Sequence, residues 1–201
     1  MSHFSVVRDA SLALRKKLFD ALGPGPDVDF QIDNEVTQIV LDPPTEDVAD
    51  AAVVSLHLYH IAADAQLRNQ PLLPLGAGQM LQPPLPLRLY YLITPVSGTE
   101  AERQLLLGRV IQAFHDAPMI SVLAGQPVGD SHGGGSPELR LVMDMLPPDE
   151  IFRLWQALGA RQRLSVAYQL RGVVVDSARA PLPAARVGEA HVLVGQAGES
   201  G

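Results

Sequence analysis

His57 and His60 stand three residues apart in AVVSLHLYHI, a spacing that raises the question of a shared metal ion. On a strand, residues three apart point to opposite faces, so the pair reads as two separate side chains with structural or interface roles. His115-Asp116 falls at the end of a helical pattern, where the helix dipole alone favours a histidine. Asp130-Ser131-His132 holds an acid, a nucleophile and a base, but adjacent residues in a glycine-rich loop do not make a triad. Gly133-Gly134-Gly135 lacks the Gly-Lys-Ser/Thr of a phosphate loop, and no Gly-x-Ser-x-Gly elbow occurs. Glu100 and Glu102 are explained by helix capping. The expectation is a non-enzymatic chain with no catalytic, metal or cofactor residues. A small hydrolase using His132 or His57 with a nearby acid is the weaker alternative.

Composition narrows the classes further. The 201 residues suit one domain, or one domain plus an arm, and 47% of them are hydrophobic, enough for a substantial core. Charged residues are only 18%, a deficit that fits a surface partly covered by neighbours. A net charge of −7 without a Lys/Arg cluster argues against a nucleic-acid binder. The absence of cysteine removes disulfides, thiol catalysis and Cys-ligated zinc. Arg8, Arg15, Lys16 and Lys17 interrupt the first apolar stretch, so no signal peptide is expected, and no run reaches the roughly 20 apolar residues of a membrane span. Synthesis and assembly in the cytoplasm, with no membrane partner, is the default.

Periodicity places the elements. Residues 4–22 form an amphipathic helix with a stripe of Val7, Leu14, Leu18 and Leu22, capped by Ser2 or Ser5 and ended by Gly23-Pro24-Gly25-Pro26. Residues 28–41 read as a strand bent near Asp33-Asn34. Residues 52–61 read as a central strand, with Val54, Leu56, Leu58 and His60 on one face and Val53, Ser55, His57, Tyr59 and Ile61 on the other. Residues 62–83 are a long connection, and 85–94 the next strand, its first residues kept at an edge or outside the ladder by Pro83, Pro84 and Pro86. Thr99 with Glu102 is a capping box opening a helix to about Asp116, its stripe Leu105, Leu106, Val110, Ile111 and Phe114. Residues 119–124 suggest a helical turn and 125–137 a flexible loop. A strand at 138–145, a helix at 147–158 with Trp155 inward, and a strand at 164–176 follow. Residues 178–201 form an arm with a short strand from His191 to Val194. The order predicts an α/β (α+β) fold: a domain over 1–177 with a mixed, mainly antiparallel sheet of four to five strands and three helices, plus the arm.

Five blocks also carry a resemblance. LHLYHIAADAQLRNQPL (56–72) holds Leu58, Tyr59 and His60, then Arg68, Asn69 and Leu72; LQPPLPLRLYYLITPVSG (81–98), EAERQLLLGRVIQAFHDAPMIS (100–121), LPPDEIFRLWQAL (146–158) and LSVAYQLRGVVVDS (164–177) follow in order. Together they resemble the tail-cap, or tail-terminator, family of extracellular contractile injection systems, phage-tail-like particles such as antifeeding prophages and virulence cassettes. Gln126 to Pro137 is more glycine-rich than that pattern, and Ala160 to Arg163 replaces a more aromatic run.

The resemblance implies a structural cap: a homo-oligomeric, hexameric ring that ends the inner tube and sheath, fixes particle length, needs no cofactor and becomes part of the assembled particle. A cytoplasmic assembly chaperone or adaptor of the same particle is the alternative. A ring needs heterologous lateral surfaces, and segments 62–83, 125–137 and 178–195 are the candidates. Arg68, Asn69, Arg88, His132, Arg186, Val192 and Val194 are the expected contact residues, with Val187, Val192 and Val194 placed to add a strand to a neighbour or to a sheath subunit.

Overall fold

The structure, a computed structural model, describes residues 4–23, 29–65, 71–76, 78–123, 125–127 and 139–183. In chain order the elements are α1 (Val6–Leu22), α2 (Glu35–Gln38), β1 (Ile39–Val40), β2 (Val54–Ala63), β3 (Leu73–Pro74), β4 (Gln79–Leu81), β5 (Leu85–Pro95), α3 (Glu100–Asp116), β6 (Met119–Ile120), β7 (Val122–Leu123), β8 (Gln126–Pro127), β9 (Leu139–Asp144), α4 (Pro148–Ala157), β10 (Val166–Val175) and β11 (Leu182–Pro183). The main sheet runs β1-β2-β5-β10-β9-β6, with β1 and β2 parallel and the other neighbours antiparallel. The mixed, mainly antiparallel α/β expectation stands, with six strands in this sheet rather than four or five.

Two units divide the chain. Met1–Asn69 with Pro84–Asp176 form the larger, and Gln70–Pro83 with Ser177–Gly201 the smaller. Within the smaller, the predicted plain connection contains β3 and β4, and the three-stranded order β11-β4-β3 completes a small sheet. Gly76 and Gly78 take φ of +74° and +77° in the β3–β4 turn, a backbone region that glycine enters at little cost.

In the larger unit, α1 and α3 supply apolar stripes to one side of the sheet. Ala10, Leu14, Leu18 and Leu22 from α1 join Leu106, Val110 and Phe114 from α3 in a core with Leu56, Leu89, Ile93, Leu141 and Leu170. Burial of these side chains is worth about 25 cal/mol per Å² of apolar surface and is the main driving force here. Phe114 and Tyr168 meet edge-on, with centroids 5.0 Å apart. Tyr91 is fully buried, and its hydroxyl lies 2.9 Å from Ser11 Oγ. Because Ser11 donates to the Val7 carbonyl, Tyr91 is the donor between them. Burial raises the Tyr91 phenol to about 12.

Several local expectations are corrected. Asn34 Oδ1 accepts from the Val36 and Thr37 amides, so residues 35–38 turn into α2 and the 28–41 strand shrinks to β1. Residues 119–124 hold β6 and β7 instead of a helical turn. Leu105 and Ile111 are exposed, because the buried face of α3 is centred on Leu106, Leu107, Val110 and Phe114. Ser5 is the α1 N-cap by position, yet its hydroxyl donates to Asp9 Oδ2 rather than accepting a backbone amide. The Thr99/Glu102 capping box and the inward Trp155 are as predicted. The proposed His191–Val194 strand lies outside the described residues.

Candidate interaction surface

The second face of the main sheet is set by one extra residue. Leu58 pairs with Tyr91 and His60 with Tyr90, so Tyr59 is a β-bulge in β2. Cross-strand partners share a face. His57 sits beside Leu92 and His60 beside Tyr90, and Tyr90 and Leu92 are two apart in β5. His57 and His60 therefore lie on the same face, not on opposite ones, because the bulge resets the alternation between them. Among the described residues no group of three or more His, Asp or Glu side chains is placed to hold a metal ion.

The bulge turns Tyr59 and His60 onto Tyr90, with ring centroids 6.1 Å and 5.2 Å from it. Tyr59 donates to Asp144 Oδ2 at 3.4 Å, and Gln169 Nε2 donates to Asp144 Oδ1 at 2.8 Å. Gln169 Oε1 in turn accepts from Arg171 Nε and Nη2 at 3.1 and 2.9 Å. A single relay thus links β2, β9 and β10. Burial, then the Asp144 charge, pushes the Tyr59 phenol well above its ordinary value, so it stays protonated as a donor. This arrangement fixes the positions of aromatic and charged groups on a half-exposed sheet, a surface suited to recognition.

Arg88, an expected contact residue, also lies on this face, where it holds Asp64 through two hydrogen bonds of 2.8 Å. The Asp64 pairing raises the guanidinium further above its already high value. Arg68, Asn69, His132, Arg186, Val192 and Val194 lie outside the described residues, as do Asp130 and Ser131. His115 is exposed in the last turn of α3, where the dipole reading placed it. Gln169 and Arg171 alternate on β10, but nothing local in the sequence joins them to Asp144 on β9; that link appears only with the strand pairing.

An open groove of about 870 Å³ runs along α1, with Leu12, Ala13, Ala113 and Ile120 on its walls and Lys17 at its margin. Lys17 Nζ donates to the Met119 carbonyl at 3.4 Å, and burial lowers its pKa.

Comparison with known proteins adds the relationship. Residues 10–189 match the family model described as the Pvc16 N-terminal domain. No curated protein matches the chain. Two solved structures share the fold. One is the sheath/tube terminator of an extracellular contractile injection system, PVC, in the extended state, with TM-score 0.57, 24% identity, and coverage of 97% of this chain and 65% of that one. The other is the anti-feeding prophage tube-terminating cap, with TM-score 0.55, 24% identity, and coverage of 92% and 60%. The chain thus spans less than two thirds of the length of either.

Proposed function

The chain belongs to the Pvc16 N-terminal domain family, and from that premise we propose that it is a structural cap of a contractile injection particle. In this reading it closes the distal end of the inner tube and sheath, stops further polymerisation and works by shape without turnover. It assembles as a homo-oligomeric ring of six, is made in the cytoplasm and leaves as part of the particle. The carrying observation is the family match over residues 10–189, supported by the shared fold with two terminator caps over nearly the whole chain. The half-exposed outer face of the sheet, with its fixed aromatic and charged groups, fits a subunit whose surfaces meet neighbours. Arg68, Asn69, His132, Arg186, Val192 and Val194 complete the set of contact residues in this proposal.

The test is negative-stain imaging of particles produced without this gene. Tubes or sheaths of abnormal and scattered length are expected. Normal, uniform lengths would overturn the reading.

A further inference from the structure

Three arginines stand in a row across the outer face of the sheet. Arg140 in β9 is registered directly opposite Arg171 in β10, and Arg171 with Gly172 opposes Arg88 in β5. Side chains directly opposite on adjacent strands have Cβ atoms about 5 Å apart, and like charges there repel. Arg88 is neutralised by Asp64. Arg171 is different: its bonds go to the amide oxygen of Gln169, which fixes its direction, and no carboxylate is bonded to it among the described residues. Arg140 is exposed, and its side chain has no hydrogen bond or ion pair among the described residues. Among the described residues of a chain of net charge −7, two guanidiniums thus stand side by side on a half-open face with no carboxylate bonded to them. Planar guanidinium forks match carboxylates.

The same unit carries the complement at its other side. The sheet begins at β1 and reaches β9 four strand steps later, a separation of about 19 Å at 4.8 Å per step. The turn that follows β1, residues 42–50, exposes Asp42, Glu46, Asp47 and Asp50. Glu46 is paired with Arg163, but Asp47 and Asp50 have no partner among the described residues. Backbone bonds from Thr45 to Pro43 and from Ala52 to Ala49, with the Ser55 hydroxyl on the Asp42 carbonyl, hold the turn in shape. A heterologous contact requires two different, complementary patches on one subunit, and these two qualify by charge and by position.

We propose that the Arg140–Arg171 pair receives the 42–50 turn of the next copy of this chain, its guanidiniums facing Asp47 and Asp50. The proposal rests on the ring reading above and names the lateral contact within it. Carboxylates of a tube or sheath protein are the competing occupant.

The cysteine-free sequence makes the test direct. Particles are purified with the chain carrying Arg140→Cys and Asp47→Cys together, oxidised and run on a denaturing gel, beside each single variant. A ladder of multimers from the double variant alone is expected. Arg140→Glu should lower the amount of chain retained on particles by at least roughly tenfold, and adding Asp47→Arg should restore it. If the chain is retained but the double variant stays monomeric, or if the Arg140→Cys chain joins a different particle protein, this contact is wrong and the cap reading stands. If wild-type chain is absent from purified particles, both fall together.

Discussion

The Arg88 guanidinium grips the Asp64 carboxylate with a matched pair of bonds, Nε to Oδ2 and Nη2 to Oδ1, each 2.8 Å long. Asp64 follows β2 directly, and its backbone amide also donates to the Pro86 carbonyl at 2.9 Å. The pair therefore ties the end of β2 to the start of β5 through both side chain and backbone. Its side chains are 21% and 11% exposed, between the surface and buried cases. Exposed ion pairs are worth about 0–1 kcal/mol, and breaking a buried one costs about 3–5 kcal/mol. Arg88→Ala is expected to cost about 2 kcal/mol in urea unfolding, on that same scale. Arg88→Ala with Asp64→Asn should cost less than Arg88→Ala alone, because it also removes the carboxylate charge that Arg88 balances.

Burial holds the His57 imidazole below its ordinary value, against a Leu41 backbone hydrogen bond and the Asp42 charge that pull the other way. The unfolded chain titrates His57 near the reference value of about 6.5. As pH falls, the unfolded state takes up the proton first, so the native state loses stability below about pH 6.5 until the lower folded value is passed. His57→Gln is expected to flatten that part of the stability curve, measured as unfolding midpoint against pH from neutral to mildly acidic buffer. An unchanged curve would remove His57 as its source.

Much of this architecture is legible in the residues, and the exceptions share a cause. The Thr99/Glu102 cap, the inward Trp155 and the strands around Leu56, Leu89 and Leu170 follow from local chemistry and periodicity. Elements of two residues, such as β1 and β6, carry no period to read; only their partners define them. From sequence alone Asn34 marks a bend in a strand, whereas in the fold its side chain caps a short helix. Above all, the Tyr59 bulge is a property of pairing with β5, so a reading of β2 alone assigns His60 to the wrong face. The relay through Asp144, Gln169 and Arg171 was hidden for the same reason.

Glycine at position 172 answers a backbone demand. Its φ is +88°, and it shares the opposition to Arg88 with Arg171, so it sits in the bulge that shifts β10 by one residue against β5. A side chain there costs about 1–2 kcal/mol for the left-handed backbone. Gly108 is the contrasting case. It lies inside α3, and a Cβ added to it meets nothing within 4 Å. Gly172→Ala should lower the unfolding free energy by that amount, whereas Gly108→Ala should raise it by about 1 kcal/mol. Shifts of the same sign in chemical denaturation would refute the distinction.

Thr94 is fully buried in β5, and its hydroxyl has no hydrogen-bond partner among the described residues. Its cross-strand neighbour Ser55 has no proton to give it, because that hydroxyl donates to the Asp42 carbonyl at 2.6 Å. A buried polar atom left without a partner costs about 1–3 kcal/mol, whereas an apolar group of the same shape does not. Thr94→Val keeps the branched outline and the strand preference while deleting the stranded oxygen. It is expected to stabilise the fold by about 1 kcal/mol. Thr94→Ser keeps the hydroxyl and loses a methyl, so it should destabilise by about 1 kcal/mol. Thermal unfolding of the two variants beside the parent reads both signs at once, and a destabilised valine variant would mean that the threonine hydroxyl is bonded after all.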